Sequence, residues 1–366
     1  MEPIDDWQWQ MANRITDVAA LRKYVEISEE QALEIDAAGK KFRWAITPYY
    51  ASLMDRSDVN CPIRKQAIPS ILELQCSRGV QDPLQEETQS PAPGLIHRYP
   101  DRVAFTVSSE CAMYCRHCTR KRFVGQPVQR TNWSAIKAGI EYIRKTEVIR
   151  DVLITGGDPF ILSDDRLERI LKELRAIDHV EIIRFGTRTP CTMPQRITAK
   201  LCEMLAKYHP VWVNTHFNHP RELTEEADQA VDRLLRAGIP VGNQSVLLRG
   251  INDSIDTMKK LLHGLLKMRV RPYYLYQCDP VIGTEHFWTP LEAGLDLIDQ
   301  LQGYTTGLAV PQFIVDSPIG KIPLTRPRLL GLTQDHAVLR NYEGKTITIS
   351  YPLQIELQEM VAPACP

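Results

Sequence analysis

The chain has 366 residues, 43% hydrophobic and 24% charged, which is the balance of an ordinary soluble globular protein. Its 44 basic and 45 acidic side chains leave a net charge of −1, so no basic field argues for nucleic acid or an anionic membrane as partner. No window approaches the roughly 18 apolar residues of a membrane span, and nine unevenly spaced cysteines do not make a secreted disulfide framework.

A reducing cytoplasm is therefore the expected location, with thiols available to bind metal. The amino-terminal MEPIDDWQWQMANRITD is polar and acidic, without the apolar core of a signal peptide. Residues 1–95 lean towards helix, carry many charges, and end in QDPLQEETQSPAPG, a run typical of a linker or wrapping segment. From residue 96 to 315 two textures alternate. Short β-rich runs appear at 103–108, 151–155, 180–185, 211–215, 240–247, 271–277 and 312–316. Between them lie helical stripes such as Ile136, Ile140 and Ile143, or Met258, Leu261, Leu262, Leu265 and Leu266. Strand–helix–strand repetition of this length predicts an α/β fold with a parallel sheet, closed completely or partly into a (β/α) barrel. Residues 316–366 read as a short carboxy-terminal extension, in which NYEGKTITISYP predicts a hairpin.

In such barrels chemistry gathers where the parallel strands end. The first strand runs into Cys111, Cys115 and Cys118, and the second into Gly156, Gly157 and Asp158. The fourth reaches Asn214-Thr215-His216, the fifth carries Asn243-Gln244-Ser245, and the sixth ends in Gln277-Cys278-Asp279. The last ends in Asp316 and, after a tight Ser-Pro-Ile-Gly turn, Lys321. Three thiols in CAMYCRHC suit a soft metal centre. A Cys3His zinc site completed by His117 or a distant partner is one reading, and unligated cysteines are another. The third is a [4Fe–4S] cube held at three corners, whose open iron can bind a further molecule.

CxxxCxxC followed by a basic run is the pattern of radical S-adenosylmethionine (SAM) enzymes, and Gly156-Gly157-Asp158 resembles the glycine-rich element that receives the methionine ammonium group. Taken together, CAMYCRHCTRKRFVG, THFNHP, NQSVLLRGIND, RPYYLYQCD and HAVLRNYEGKTITISYP resemble the lysine 2,3-aminomutase family. The similarity runs from about Asp6 to about residue 352.

That resemblance implies a partial barrel of the radical SAM type, with an amino-terminal helical extension and a carboxy-terminal extension. It implies a [4Fe–4S] cluster on Cys111, Cys115 and Cys118, SAM beside Gly156, Gly157, Asp158 and His216, and pyridoxal 5′-phosphate (PLP) as carrier of the amine. Lys321 would form the Schiff base with PLP, while Arg98, Arg102 and Gln244 would hold its phosphate. Arg120 would clamp the substrate carboxylate, and Asp279 and Asp316 would receive its distal ammonium group. Family members that act on glutamate carry a basic and an amide residue at those two positions, so glutamate is disfavoured. The implied reaction is the conversion of L-lysine to β-lysine, with a flavodoxin- or ferredoxin-like electron donor and a homo-oligomeric assembly. An arginine 2,3-aminomutase, with its equally cationic substrate, is the near alternative. An iron–sulfur protein without mutase activity is the distant one.

Two departures from the family stand out. Clostridial-type relatives bind zinc through a terminal cysteine cluster and a cysteine of a neighbouring subunit. Here only Cys365 remains in the tail and Ser254 stands at the partner position, so no structural zinc is expected. The DSPIGK turn is also shorter than is common in the family, which shifts Lys321 relative to Asp316.

Overall fold

The computed structural model describes residues 5–75, 77–126, 132–333 and 336–350. Cys365, and the Tyr351-Pro352 end of the predicted hairpin, lie outside the described residues. One nine-stranded sheet follows chain order: β1 (Leu95–Tyr99), β2 (Arg102–Ser108), β3 (Asp151–Gly156), β4 (Ile182–Gly186) and β5 (Val211–Thr215), then β6 (Val241–Leu247), β7 (Arg271–Gln277), β8 (Gln312–Ser317) and β9 (Gly320–Leu324). From β2 to β8 every pairing is parallel, and antiparallel hairpins add β1 and β9 at the two edges. The seven predicted strands are all present.

Crossover helices cover the outside of the sheet. The stripe Ile136, Ile140 and Ile143 is buried on the helix Trp133–Lys145, and Met258, Leu261, Leu262 and Leu265 are buried on Ile255–Lys267. Burying a chain of such aliphatic side chains contributes roughly 1.5–3 kcal/mol each before entropy is counted. Five of the crossover helices start on polar caps, whereas Leu291–Leu301 starts on Pro290 with no side-chain cap. Asn132, Ser163, Thr198, Thr224 and Ser254 each accept the backbone N–H three residues on. Ser254 thus has a helix-capping role of its own.

The sheet does not close. Among the described residues no ladder joins β9 to β1, and side chains bridge the seam instead. The Lys321 N–H donates to Tyr99 Oη at 2.8 Å, and Arg98 pairs with Asp316 at 2.9 Å. Lys321 does not lie in a loop after its turn. Pro318 and Ile319 form a two-residue connection, which places Lys321 directly opposite Asp316 in the β8–β9 register. The shortened turn therefore produces a cross-strand ion pair.

Residues ahead of the sheet form short helices that wrap the cluster loop. The buried Arg116 donates to Glu73 at 2.6 and 2.8 Å and to the carbonyls of Arg43 and Phe42. At the other end, His336–Arg340 and Thr346–Ser350 form a hairpin that begins five residues before the predicted run, so that NYEGK is its turn and TITIS its second strand; a third strand, Leu329–Leu332, joins them in a separate small sheet. No helix among the described residues is long and apolar enough to cross a membrane.

Candidate active site

A cavity of about 630 Å³ is lined by residues of all nine strands of the large sheet and by loops that follow several of them. Every site residue named from the sequence lines it: Cys111, Cys115, Cys118, Gly156, Gly157, Asp158, His216, Arg98, Arg102, Gln244, Arg120, Asp279, Asp316 and Lys321. The strand-end rule accounts for the residues after β2, β3, β5 and β7 and at the end of β8; Arg98 and Lys321 come instead from the antiparallel edge strands, Arg102 from the start of β2 and Gln244 from within β6.

The loop after β2 carries three free thiols on one wall. Burial, then Asp158 and the two other sulfurs, pushes the Cys111 thiol up; burial and Cys115 push Cys118 up to about 11. Three half-buried thiols that repel one another when ionised are suited to a polycationic soft centre, which would remove that cost. Among the described residues no three His, Cys, Asp or Glu side chains converge tightly enough for one metal ion. A single zinc would draw three thiolates within about 4 Å of each other, whereas a cube takes each on a different iron. His117 turns its Nε2 towards Asn218 Nδ2 at 3.4 Å, and its buried Nδ1 has no hydrogen-bond partner. The thiol set fits a [4Fe–4S] cluster.

The glycine pair has a steric reason. Gly156 has φ +136°, and a Cβ on it would sit 2.3 Å from Ser108 O. A Cβ on Gly157 would sit 2.3 Å from Glu110 O. Only glycine lets the end of β3 come this close to the root of the cysteine loop. Gly157→Ala is expected to lower stability by about 1–3 kcal/mol, the scale of an overpacked contact, and to weaken iron retention. Chemical denaturation and iron analysis would check both.

Asp158 differs in detail from its expected role. Its carboxylate accepts Thr187 Oγ1 at 2.6 Å, Phe160 N at 3.0 Å and Arg188 N at 2.8 Å, so much of its capacity is spent ordering the next loop. His216 Nε2 pairs with Asn218 Oδ1 at 3.0 Å, and burial lowers its pKa to about 3, with Arg188 adding to the effect. It is a neutral ring at physiological pH.

The opposite wall is a set of ion pairs. Asp316 holds Arg98 through Oδ1 and Lys321 Nζ through Oδ2, both at 2.9 Å. Lys321 Nζ also lies 6.0 and 5.8 Å from the ring centres of Tyr99 and Tyr276. Arg98 is further fixed by Gln89 and Leu84 O, while Arg102 stacks on Tyr99 at 3.8 Å and pairs with Asp101. A primary amine flanked by aromatic faces, with two guanidinium groups nearby, suits a phosphorylated aromatic aldehyde such as PLP. Asp279 accepts Thr119 Oγ1 at 2.6 Å; burial raises it to about 6, with Thr119 opposing and Asp316 adding to the rise.

Arg120 already has a carboxylate. Glu86, from the wrapping segment, takes its Nε and Nη2 at 2.8–3.2 Å, and Arg122 joins at 2.9 Å. Burial would raise Glu86, but the two guanidinium groups outweigh it and hold it at about 2. Sequence reasoning left Glu86 inside a linker run, and it also passed over Arg188. The end of β4, Gly186-Thr187-Arg188, obeys the same strand-end rule as its neighbours and would have flagged that arginine.

Comparison with known proteins places this geometry in context. Residues 105–262 match the profile of the Radical SAM superfamily, and residues 298–362 match that of Lysine-2,3-aminomutase. The L-lysine 2,3-aminomutase of Fusobacterium nucleatum is 52% identical over 354 residues, spanning 96% of this chain and 83% of its own. That of Clostridium subterminale is 51% identical over 352 residues, spanning 95% and 85%. A glutamate 2,3-aminomutase from Clostridioides difficile is 46% identical over 362 residues, spanning 98% and 86%.

Proposed function

We propose that this chain, which belongs to the lysine 2,3-aminomutase family of radical SAM enzymes, converts L-lysine to β-lysine by moving the α-amino group to Cβ. The observation that carries the choice of substrate is the acidic pair Asp279 and Asp316 on the cavity wall, at the ends of β7 and β8. Asp316 already holds the ammonium of a lysine side chain, that of Lys321. A substrate ammonium offers the same group once Lys321 is engaged elsewhere. A glutamate side chain would meet two carboxylates there, a repulsive arrangement.

When bound, the cluster and SAM supply the radical that takes a hydrogen from the substrate, and PLP carries the migrating amine. The protein's own residues position the reactants. Cys111, Cys115 and Cys118 hold the cluster, and the backbone at Gly156-Gly157 with Asp158 and His216 borders the SAM. Lys321 engages PLP, with Arg98, Arg102 and Gln244 around its phosphate. Arg120 meets the substrate carboxylate, and the two aspartates fix the distal end. An external one-electron donor of flavodoxin or ferredoxin type and a homo-oligomeric assembly complete the proposal, with the cytoplasm as its location.

Asp279→Asn tests the substrate reading most cleanly, because Asp316→Asn also releases Lys321 and Arg98. Loss of a charge-assisted contact costs about 1.5–3 kcal/mol, so KM for lysine should rise at least about tenfold with a smaller change in kcat. Steady-state kinetics on lysine, arginine and glutamate check this. Unchanged lysine KM, or turnover of glutamate in preference to lysine, would sink the reading.

The raised Asp279 gives a pH signature. Its carboxylate form prevails above about 6 and is lost as pH falls through that value. Affinity for a cationic substrate should therefore be full near neutrality and decline below about 6. The Asp279→Asn profile should lack this inflection.

A further inference from the structure

Arg188 sits at the end of β4 with its guanidinium buried, and each of its three side-chain nitrogens meets an acceptor. Nη1 lies 2.8 Å from Cys115 Sγ, and Nε donates to His216 O at 3.0 Å. Nη2 donates to Gln66 Oε1 at 2.7 Å and to Glu222 Oε1 at 2.8 Å. Glu222 is itself fully buried, with Tyr50 Oη and Gln66 Nε2 on the same oxygen and the N–H groups of Asn218 and His219 on the other. By contrast, Cys118 Sγ accepts a neutral backbone N–H, that of Arg120, at 3.3 Å.

An arginine does not release its proton in a protein. The contact therefore sets a permanent positive charge against one thiol of the three, with a fixed negative charge behind it. Hydrogen bonds to cluster sulfurs, and the net charge nearby, set how readily an iron–sulfur cluster accepts an electron. Charge-assisted bonds are roughly twice as strong as neutral ones.

We propose that Arg188 is a positioning residue for the cluster: its guanidinium orients the Cys115 sulfur and makes one-electron reduction easier, while Glu222 limits the effect. One electron enters from an external one-electron reductant. No bond forms or breaks, and no proton moves, because the arginine stays protonated. The proposal rests on Cys111, Cys115 and Cys118 being the cluster ligands.

The test is a redox titration with dithionite of the anaerobically reconstituted full chain, without SAM or substrate. The reduced cluster is followed by electron paramagnetic resonance, and iron is measured in parallel. Arg188→Gln should lower the reduced-to-oxidised ratio at a fixed potential at least about tenfold, a midpoint more negative by about 59 mV for a one-electron couple. Glu222→Gln should move the midpoint in the opposite direction. Opposite shifts with full iron content support the proposal. An unmoved midpoint in an iron-replete Arg188→Gln protein overturns it, as do shifts of the same sign, which would mean general distortion. If Arg188→Gln fails to hold iron, Glu222→Gln decides alone: a more positive midpoint supports the proposal and an unchanged one overturns it. A wild-type protein that takes up no iron would overturn the cluster assignment itself, and this proposal with it.

Discussion

Cys115→Ala is expected to abolish reductive cleavage of SAM, a loss on the order of 10³-fold or more, the scale seen when a group essential to the chemical step is removed. Cys111→Ala and Cys118→Ala should do the same, because each thiolate holds a different corner of the cluster. Cys202, buried on the helix Ala199–Ala206, provides the contrast. Its replacement by alanine should cost packing alone and leave iron content unchanged. Iron and sulfide analysis, with chromatography of the SAM fragments, reads all four variants. A Cys115→Ala protein that still cleaves SAM at the wild-type rate would refute the assignment.

The second large effect is expected at Lys321. Lys321→Ala should reduce turnover by roughly 10²–10⁴-fold, the range for a lost proton-transfer or covalent group, and leave the iron–sulfur absorption in place. Loss of turnover is not diagnostic by itself, since removing this ammonium also frees one oxygen of Asp316. Borohydride trapping of wild-type protein followed by peptide mass analysis is diagnostic. The phosphopyridoxyl group should sit on Lys321, and its appearance on Lys345 would end the assignment.

The parallel strands were legible because they are short β-branched and aromatic runs punctuated by turn residues, and their order told which loops converge. The edge strands were not. In β9, GKIPL contains Pro323, which lacks the N–H a central strand needs and so marks an edge, yet it reads as a loop in isolation. The terminal hairpin was legible only in part: its turn and second strand lie in the predicted run, but its first strand, His336–Arg340, precedes it. The pairings of the site were beyond the sequence. Glu86 meets Arg120 across 34 residues and Arg188 meets Cys115 across 73, separations at which no local period operates. Asp316 shows how this changes a role. The family resemblance gave it the distal ammonium of the substrate, and cross-strand register adds Lys321 as its resident cation.

The open seam between β1 and β9 has a thermodynamic consequence. The residues assigned to PLP sit on both lips: Arg98 and Arg102 on the β1–β2 hairpin, Lys321 on the β8–β9 hairpin. A ligand that touches both lips closes with its own bonds a circuit that the backbone leaves open. Its binding free energy then appears as resistance to local opening, by the usual linkage of ligand to the folded form. Amide hydrogen exchange would show this as a pattern. Protection should rise on loading along Leu95–Ser108 and Gln312–Leu324, while Val211–Thr215, on the far side of the sheet, should exchange as it did before.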